Sequence, residues 1–453
     1  MAISSRYLGL HSAALLIGLV FSAPALEAAD LLTIYRAALE NDATYAMAKS
    51  DYLAAEEVLP QARSQLLPTV GLRANVTRNR IDNTAEVLGN VIDRQYSFTS
   101  QDYGLSLTQP VYRKAIWAEY QSAGAKLRLA TAELLNARLD LALRVVQTYF
   151  AALLAQDNID LVREQKSAIA AQVEQAKRFY ASGFGTVTDV NEAQARLDSA
   201  NALEITARNN LEIAMRAFEE IVGNVPDTLL TLSAQPSLRL PDPYNLDHWR
   251  DHALANNPAV LAKSAALEIA QHEIEKARAQ QFPTIDLVAG VGHAVDPGYT
   301  TLDQTNNSAD IGIRAAFTLY QGGYITSRLR QTRALHDKAR NELEAVRRQI
   351  AQQTRQEYLN VVNGVAQVDA LEKALKSHEV ALDSMQKGFR AGVRTSVDIL
   401  NEQQLLYTAK RDLSEARYNY LISRSRLKAA AGILDEAEIV LINGWLNGVV
   451  AKQ

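Results

Sequence analysis

Apolar and polar residues alternate in four short stretches of the chain, which is the period of a β-strand with one apolar face. These stretches cover residues 70–76, 103–107, 285–291 and 311–319. Polar segments at residues 78–97 and 296–308 separate the members of each pair. The pattern predicts two β-hairpins, four strands in all, with the polar segments as their loops.

Two much longer stretches have the composition of α-helix. Residues 125–182 contain neither glycine nor proline, and residues 324–387 contain only Gly364. Helices of this length would extend over about 90 to 100 Å, which is far longer than a helix of a globular domain and predicts a coiled coil or a tube. A shorter helix precedes each strand pair, at residues 31–64 in the first case. A return helix follows each long helix after a glycine-containing turn.

The whole order of elements occurs twice, which indicates a tandem duplication. The residues that recur at one constant spacing are Tyr149, Gly183, Thr186, Asp189, Gln194 and Gly223, repeated as Tyr358, Gly392, Thr395, Asp398, Gln403 and Gly432. The predicted organisation is a signal peptide (1–28), repeat one (29–225), a linker (226–247), repeat two (248–432) and a C-terminal segment (433–453). We expect the linker and the C-terminal segment to pack around the middle of the tube.

The N-terminus has the features of a secretory signal. Arg6 precedes an apolar run at residues 13–21, and small residues follow it. The run is shorter than the roughly 20 apolar residues that cross a bilayer, so we expect cleavage, after Ala28 or Ala29, with Ala25 as an alternative. Later segments contain no run of 18 apolar residues, so we expect membrane insertion through the β-strands.

Composition excludes several classes of function. The 453 residues carry a formal net charge of -4 and no cysteine, which leaves no basic footprint for nucleic acid and no thiol chemistry or disulfide. His248 and His252 have a spacing that can hold zinc on a helix, but a third ligand is missing and a solvated helix start is favoured. The sequence predicts no cofactor, no metal site and no enzyme.

The strand count requires several copies of the chain. Four strands cannot close a barrel, membrane barrels begin at eight strands, and an open sheet edge in hydrocarbon leaves costly unpaired backbone groups. Two copies would supply eight strands and three would supply twelve. A hollow centre that continues into a helical tube favours three, so we predict a homotrimer.

At this point the chain resembles the TolC outer-membrane efflux and secretion family, over residues 30 to 448. The most specific stretch is residues 385–427, MQKGFRAGVRTSVDILNEQQLLYTAKRDLSEARYNYLISRSRL, and residues 175–223 are its weaker twin. The resemblance implies an α+β membrane protein, a trimer with a twelve-stranded β-barrel in the outer membrane and a periplasmic tunnel of twelve helices. It also implies a passive conduit whose partners, a periplasmic adaptor and an inner-membrane ABC or RND-type pump, dock at the helix tips. The tips would open by an iris-like movement.

Carried over by position, the resemblance assigns six residues to the periplasmic gate: Asp398, Asn401, Arg394, Phe389, Asp189 and Thr188. The tip turns contain Gly183, Gly185 and Gly392. Asp398 would line the constriction, and Arg394 would tie the inner helix pair to Asp189 and Thr188.

Two positions depart from the family. Asn401 and Phe389 stand where the family has an aspartate and a tyrosine. We therefore expect a looser lock and weaker cation binding, with Arg394 to Asp189 as the remaining charged tie.

Two alternatives stay open. The tip residues could be only helix caps and surface ion pairs, because aspartate after a Gly-Thr turn commonly caps a helix. The whole chain could be a soluble or periplasmic coiled-coil adaptor or scaffold, although an adaptor should have a single helical hairpin. The sequence leaves the cargo and the class of pump undetermined.

Overall fold

The computed structural model describes residues 29–233, 238–297 and 304–450. The predicted signal peptide, residues 1–28, lies outside these ranges. In chain order the described elements are α1 (Leu31–Asn41), α2 (Ala43–Glu56), α3 (Val58–Ser64), β1 (Thr69–Val87), β2 (Asn90–Tyr112), α4 (Lys114–Ala181), α5 (Val187–Val222), β3 (Leu229–Leu232), α6 (Leu246–Asn256), α7 (Pro258–Ala279), β4 (Thr284–Asp296), β5 (Gln304–Ala316), α8 (Tyr324–Arg390), α9 (Ser396–Ala430), α10 (Glu436–Asn443) and β6 (Leu446–Val450).

The first predicted helix is divided into α1, α2 and α3. The break between α1 and α2 falls at Asp42, whose backbone is extended and whose carboxylate accepts a hydrogen bond from the backbone NH of Tyr45. The same buried carboxylate accepts two bonds from the Arg144 guanidinium of α4, at 2.8 and 3.0 Å. The Asp42 side chain is thus fixed by a helix cap and an ion pair, and the helix is interrupted at this residue. The helical pattern alone did not show this break.

The long helices α4 and α8 contain 68 and 67 residues, which corresponds to about 100 Å each. Helix α4 packs against α2, α3 and α5 of its own repeat and also against α7 and α9 of the other repeat. The two repeats therefore share their packing surfaces rather than forming separate units. Among the helices of the described ranges, none is both long enough and apolar enough to cross a membrane.

Four antiparallel strands form one sheet in the order β1-β2-β4-β5. Its register places apolar residues of all four strands on one face, including Leu72, Leu105, Val291 and Ile311. The opposite face contains glycine, serine and charged residues at the intervening positions, including Arg73, Ser106, Gly290 and Asp310. The sheet therefore has one apolar and one polar surface.

The two hairpins differ in length. Strands β1 and β2 contain 19 and 23 residues, whereas β4 and β5 contain 13 each. The predicted loop at residues 78–97 was wrong, because paired strand continues through it to a two-residue turn at Leu88 and Gly89, both with positive φ. Polar side chains bond across the two strands, as Asn79 does to Ser100. Such bonds stabilise a strand pair that has no apolar core beneath it. In the second hairpin the predicted loop was wrong at residues 304–308, which belong to β5, and residues 298–303 lie outside the described ranges.

A second, two-stranded sheet joins β3 to β6. It covers a core near the middle of the long helices that includes Tyr149, Phe150, Trp249 and Tyr418. The Tyr149 hydroxyl donates to the Leu230 carbonyl at 2.8 Å, which fastens β3 to α4. Strands this short gave no alternating pattern in the sequence. The domain boundaries stay a prediction.

Replacing Asp42 with alanine should lower the free energy of unfolding by about 2 to 3 kcal/mol, because a helix cap is lost and Arg144 is left without its buried partner. The midpoint of thermal loss of helical circular dichroism measures the effect. Asp140→Ala is the matched control, since Asp140 is the exposed partner of the same guanidinium and should cost less than about 0.5 kcal/mol.

The Asp42 contribution should also depend on pH. Burial by itself raises the pKa of Asp42, but hydrogen bonds from Arg144 and from backbone amides outweigh it and lower that pKa below its ordinary value. The difference in stability between wild type and Asp42→Ala should therefore be complete above about pH 4 and shrink as the pH falls through the folded-state pKa. A difference that stays constant down to pH 2 would contradict this linkage.

Candidate functional site

Both long helices end in glycine turns that begin the return helices. Gly183 and Gly392 have φ values of 79° and 75°, a left-handed conformation that glycine adopts without strain. The Phe184 NH donates to the Phe179 carbonyl at 3.0 Å, and the Val393 NH donates to the Gly388 carbonyl at 2.9 Å. Both turns therefore close the helix end in the same way, as the repeat predicts.

The return helices α5 and α9 both begin with a reciprocal capping box. The Thr395 hydroxyl accepts from the Asp398 NH at 3.2 Å, and the Asp398 carboxylate accepts from the Thr395 NH at 2.9 Å. Thr186 and Asp189 form the same arrangement at the start of α5. The predicted capping role of Asp189 and Asp398 is therefore confirmed.

These caps favour the ionised form of the Asp398 carboxyl. Hydrogen bonds from the Thr395 backbone and hydroxyl, together with the nearby positive charge of Arg394, hold the pKa of Asp398 below its usual range. Capping does not exclude a gate role, since the same carboxylate carries a full negative charge at neutral pH.

The two turns lie side by side with a groove of about 880 Å³ between them. The rings of Phe179 and Phe389 meet across it with centroids 5.8 Å apart. Arg394 and Asp189 also line this groove, whereas Thr188 is exposed outside it. The structure thus brings Phe389, Arg394 and Asp189 to one place.

The predicted charged tie is not formed in the single chain. Within the described ranges Arg394 makes no ion pair with Asp189 or with any other carboxylate, although both residues face the same groove. Gly388 lies under the Arg394 side chain, and a Cβ added there would meet Arg394 Cγ at 2.8 Å. The aliphatic stem of Arg394 therefore rests on the end of α8.

A different arginine joins the two return helices. Arg196 of α5 donates through Nη2 to Asn401 Oδ1 at 2.6 Å and through Nη1 to Gln404 Oε1 at 3.2 Å, both on α9. Arg196 also pairs with Glu192 on its own helix. Sequence reasoning missed this contact. The repeat offered one signal, because the second copy has Leu405 at the position of Arg196, so the arginine is specific to the first copy.

The histidine pair has an ordinary structural setting. The rings of His248 and His252 lie 6.4 Å apart, and His252 Nδ1 lies 3.2 Å from the Ala431 carbonyl oxygen. Within the described part of the chain, His, Asp, Glu and Cys side chains form no group of three that could hold a metal ion.

The fold defines the class of protein. The chain superposes on the outer-membrane protein VceC of Vibrio cholerae with a TM-score of 0.77 at 20% identity, covering 89% of this chain and 96% of that one. It superposes on the outer-membrane channel OprN with a TM-score of 0.76 at 17% identity, covering 92% and 91%. The predicted α+β channel fold is confirmed.

A model of the family described as outer membrane efflux protein matches residues 34–224 and 249–433, and the chain belongs to this family. The alkaline protease secretion protein AprF of Pseudomonas aeruginosa is 32% identical over 92% of this chain and 87% of its own length. The outer membrane protein TolC of Vibrio cholerae is 31% identical over 95% and 96%. The predicted family and the outer-membrane location are confirmed, and these relatives are not enzymes.

Removing the cap hydroxyl with Thr395→Val should destabilise the first turn of α9 by about 1 kcal/mol. Amide hydrogen exchange at residues 397–400 should then become faster by roughly fivefold, because the local opening equilibrium shifts by that amount. Ser396→Ala changes the neighbouring hydroxyl and should leave the exchange unchanged. Equal exchange in wild type and Thr395→Val would show that the capping box does not hold the turn.

Proposed function

We propose that this protein is the outer-membrane exit duct of a tripartite efflux or type I secretion system. Three copies would close one barrel and one helical tube, through which cargo leaves passively while an inner-membrane pump supplies energy. The two-faced sheet, whose two edges have no strand partner among the described residues, is the observation that carries the proposal.

The apolar face of the sheet requires an apolar environment. Leu72 is 80% exposed in the single chain and Ile313 is 76% exposed. Side chains of this kind are favourable against lipid and unfavourable against water. The opposite face, with Arg73 and Asp310, suits a water-filled lumen, as in membrane barrels that are apolar outside and polar inside.

The sheet edges require further copies of the chain. In the described ranges β1 and β5 each pair on one side only, and an unpaired edge in hydrocarbon would leave several backbone groups without hydrogen bonds. Pairing β5 of one copy with β1 of the next repeats until the ring closes. Three copies supply twelve strands, which leaves room for a pore above a hollow tube.

The tips are suited to a protein partner. Phe184 is 89% exposed and Val393 is 75% exposed at the two turns, far along the long helices from the sheet. We take the exposed apolar side chains of the two neighbouring turns as the contact for a protein partner. We assign this end to the periplasmic adaptor and, through it, to an ABC or RND-type pump.

We also propose that the tips form the gate. Asp398 would line the constriction as one ring of three carboxylates, and Asn401 would contribute no charge to a second ring. Since Arg394 and Asp189 are not paired in the single chain, the observed Arg196 contacts to Asn401 and Gln404 would be the main link between return helices. Both hydrogen bonds lie at exposed positions, where water competes for the same groups and keeps the net gain small, which suits a gate that opens readily.

The duct itself can be tested in lipid bilayers. The purified full chain should migrate as a heat-sensitive trimer in detergent and give discrete ion conductance in planar bilayers. Asp398→Ala should reduce the preference for cations, because the negative ring would be lost, while Asp383→Ala, an exposed residue paired within α8, should not. A folded monomer that neither binds membranes nor conducts would contradict the proposal.

The link between the return helices can be tested separately. Arg196→Leu should raise the resting conductance of the bilayer-inserted channel, because the contacts from α5 to Asn401 and Gln404 are lost. Arg208→Leu is the matched control, since Arg208 pairs with Glu204 on its own helix. Equal resting conductance in both variants would remove Arg196 from the gate.

A further inference from the structure

The first hairpin extends beyond the four-stranded sheet. Strand β2 pairs with β4 only from Gln101 onward, so residues 77–100 form a two-stranded arm that we call the outer hairpin. Its register runs without a shift from the pair Val76–Gln101 to the pair Val87–Asn90. These eleven steps correspond to about 37 Å of strand.

The polarity of the two faces reverses along this arm. On the face that continues the apolar, lipid-facing side of the sheet, the outer hairpin carries Arg78, Arg80, Asp82, Thr84, Glu86, Asp93, Gln95, Ser97 and Thr99, with Val91 as the apolar exception. Cross-strand bonds join Arg78 to Ser97, Gln95 to Asp82 and Thr84 to Asp93 on this face. This side is therefore a solvated surface.

The face that continues the polar, lumen side gains an apolar cluster, Ile81, Ala85, Ile92, Tyr96 and Phe98, among polar positions that include Thr77, Asn79 and Ser100. The register places Ile81 opposite Tyr96, Ala85 opposite Ile92 and Phe98 opposite Asn79, and the pairs Asn83–Arg94 and Thr77–Ser100 on this face are polar. Ile92 and Ala85 are exposed, and the rings of Tyr96 and Phe98 are only half-buried. Because the register has no shift, the side chains of this inner face follow the lumen-facing positions of the sheet in unbroken alternation.

We propose that the inner faces of the outer hairpins from the three copies pack together and cover the outer mouth of the barrel. The proposal rests on the trimeric channel proposed above. The occupant of each apolar face is the same face of a second copy, because this face is continuous with the lumen wall that the barrel closure would surround. Apolar residues on the axis side and charged residues on the outside are what such a cap requires.

The dimensions allow the contact. A barrel of twelve strands, spaced about 4.8 Å apart and tilted by about 40°, has a backbone radius of roughly 12 Å. An arm of about 37 Å is long enough to lean over that distance. Strand β4 ends at Asp296 and β5 begins at Gln304, so among the described residues the long arm belongs to the first hairpin, to which we assign the cap.

Cysteine cross-linking tests the cap directly, because the chain contains no cysteine. Ala85→Cys places a thiol on the inner face, and Glu86→Cys, its neighbour, places one on the outer face. In outer-membrane vesicles a mild oxidant or a short bis-maleimide should convert up to about two of every three Ala85→Cys chains into linked dimers, the limit that threefold symmetry sets. Glu86→Cys should give severalfold less.

The outcomes separate the cap from the channel. If both cysteine variants remain trimers with wild-type conductance but cross-link equally or not at all, the cap is overturned and the channel stands. If the wild-type chain is neither trimeric nor conducting, both proposals fall.

A second measurement does not depend on cross-linking geometry. Ser308→Cys places a thiol on the lumen face of β5, below the cap, where a bulky maleimide-polyethylene glycol added to intact cells should react slowly. Adding Phe98→Asp should accelerate the reaction severalfold, because a charge on the inner face would separate the three arms. Adding Val91→Asp on the outer face should not. Equal rates in all three backgrounds would overturn the cap.

Discussion

A β-strand edge in hydrocarbon must find a hydrogen-bonding partner, since lipid offers none for its NH and carbonyl groups. In the part of the chain that the structure describes, the sheet has two such edges, β1 and β5, and an apolar face that includes Leu72 and Ile313. A ring of copies satisfies both edges together. Ring closure in turn fixes a central axis, and the long helices that leave the sheet must then surround the same axis. The tube is thus a consequence of how the sheet is completed.

The helices of the two repeats pack against one another. Helix α4 packs against elements of both copies, and Arg113 at its start donates two hydrogen bonds to Asp286 of β4, in the other repeat, at 2.7 and 2.6 Å. The central core, covered by β3 and β6, joins residues from both ends of the chain. Sliding one repeat along the other would break these contacts together, so we expect helix motion to be concentrated at the tips, where Arg196 provides the observed side-chain link between α5 and α9.

Sequence reasoning predicted the features that depend on regular periodicity. The two long helices, the apolar strand faces, the duplication and the family follow from patterns that extend over many residues.

Sequence reasoning missed features that depend on single side chains or on distant partners. The break at Asp42 arises because one carboxylate serves both a cap and Arg144. Residues 78–97 were predicted as a loop because polar pairs can hold a ladder without the alternation that marks an amphipathic strand. Arg196 acts across repeats, 205 positions from Asn401, and no local pattern encodes such a distance. The gate roles of Asp398, Asn401, Phe389, Asp189 and Thr188 stay predictions.

The unequal hairpins have a consequence for the shape of the outer rim. Each chain contributes one long hairpin, with strands of 19 and 23 residues, and one short hairpin, with strands of 13. In a closed ring of three chains, tall and low wall segments alternate, so the rim is notched rather than level. Arms that meet above the axis would leave three lateral windows over the low segments. Cargo would then leave through these lateral openings, and a molecule that approaches from outside would meet three narrow openings instead of one wide pore.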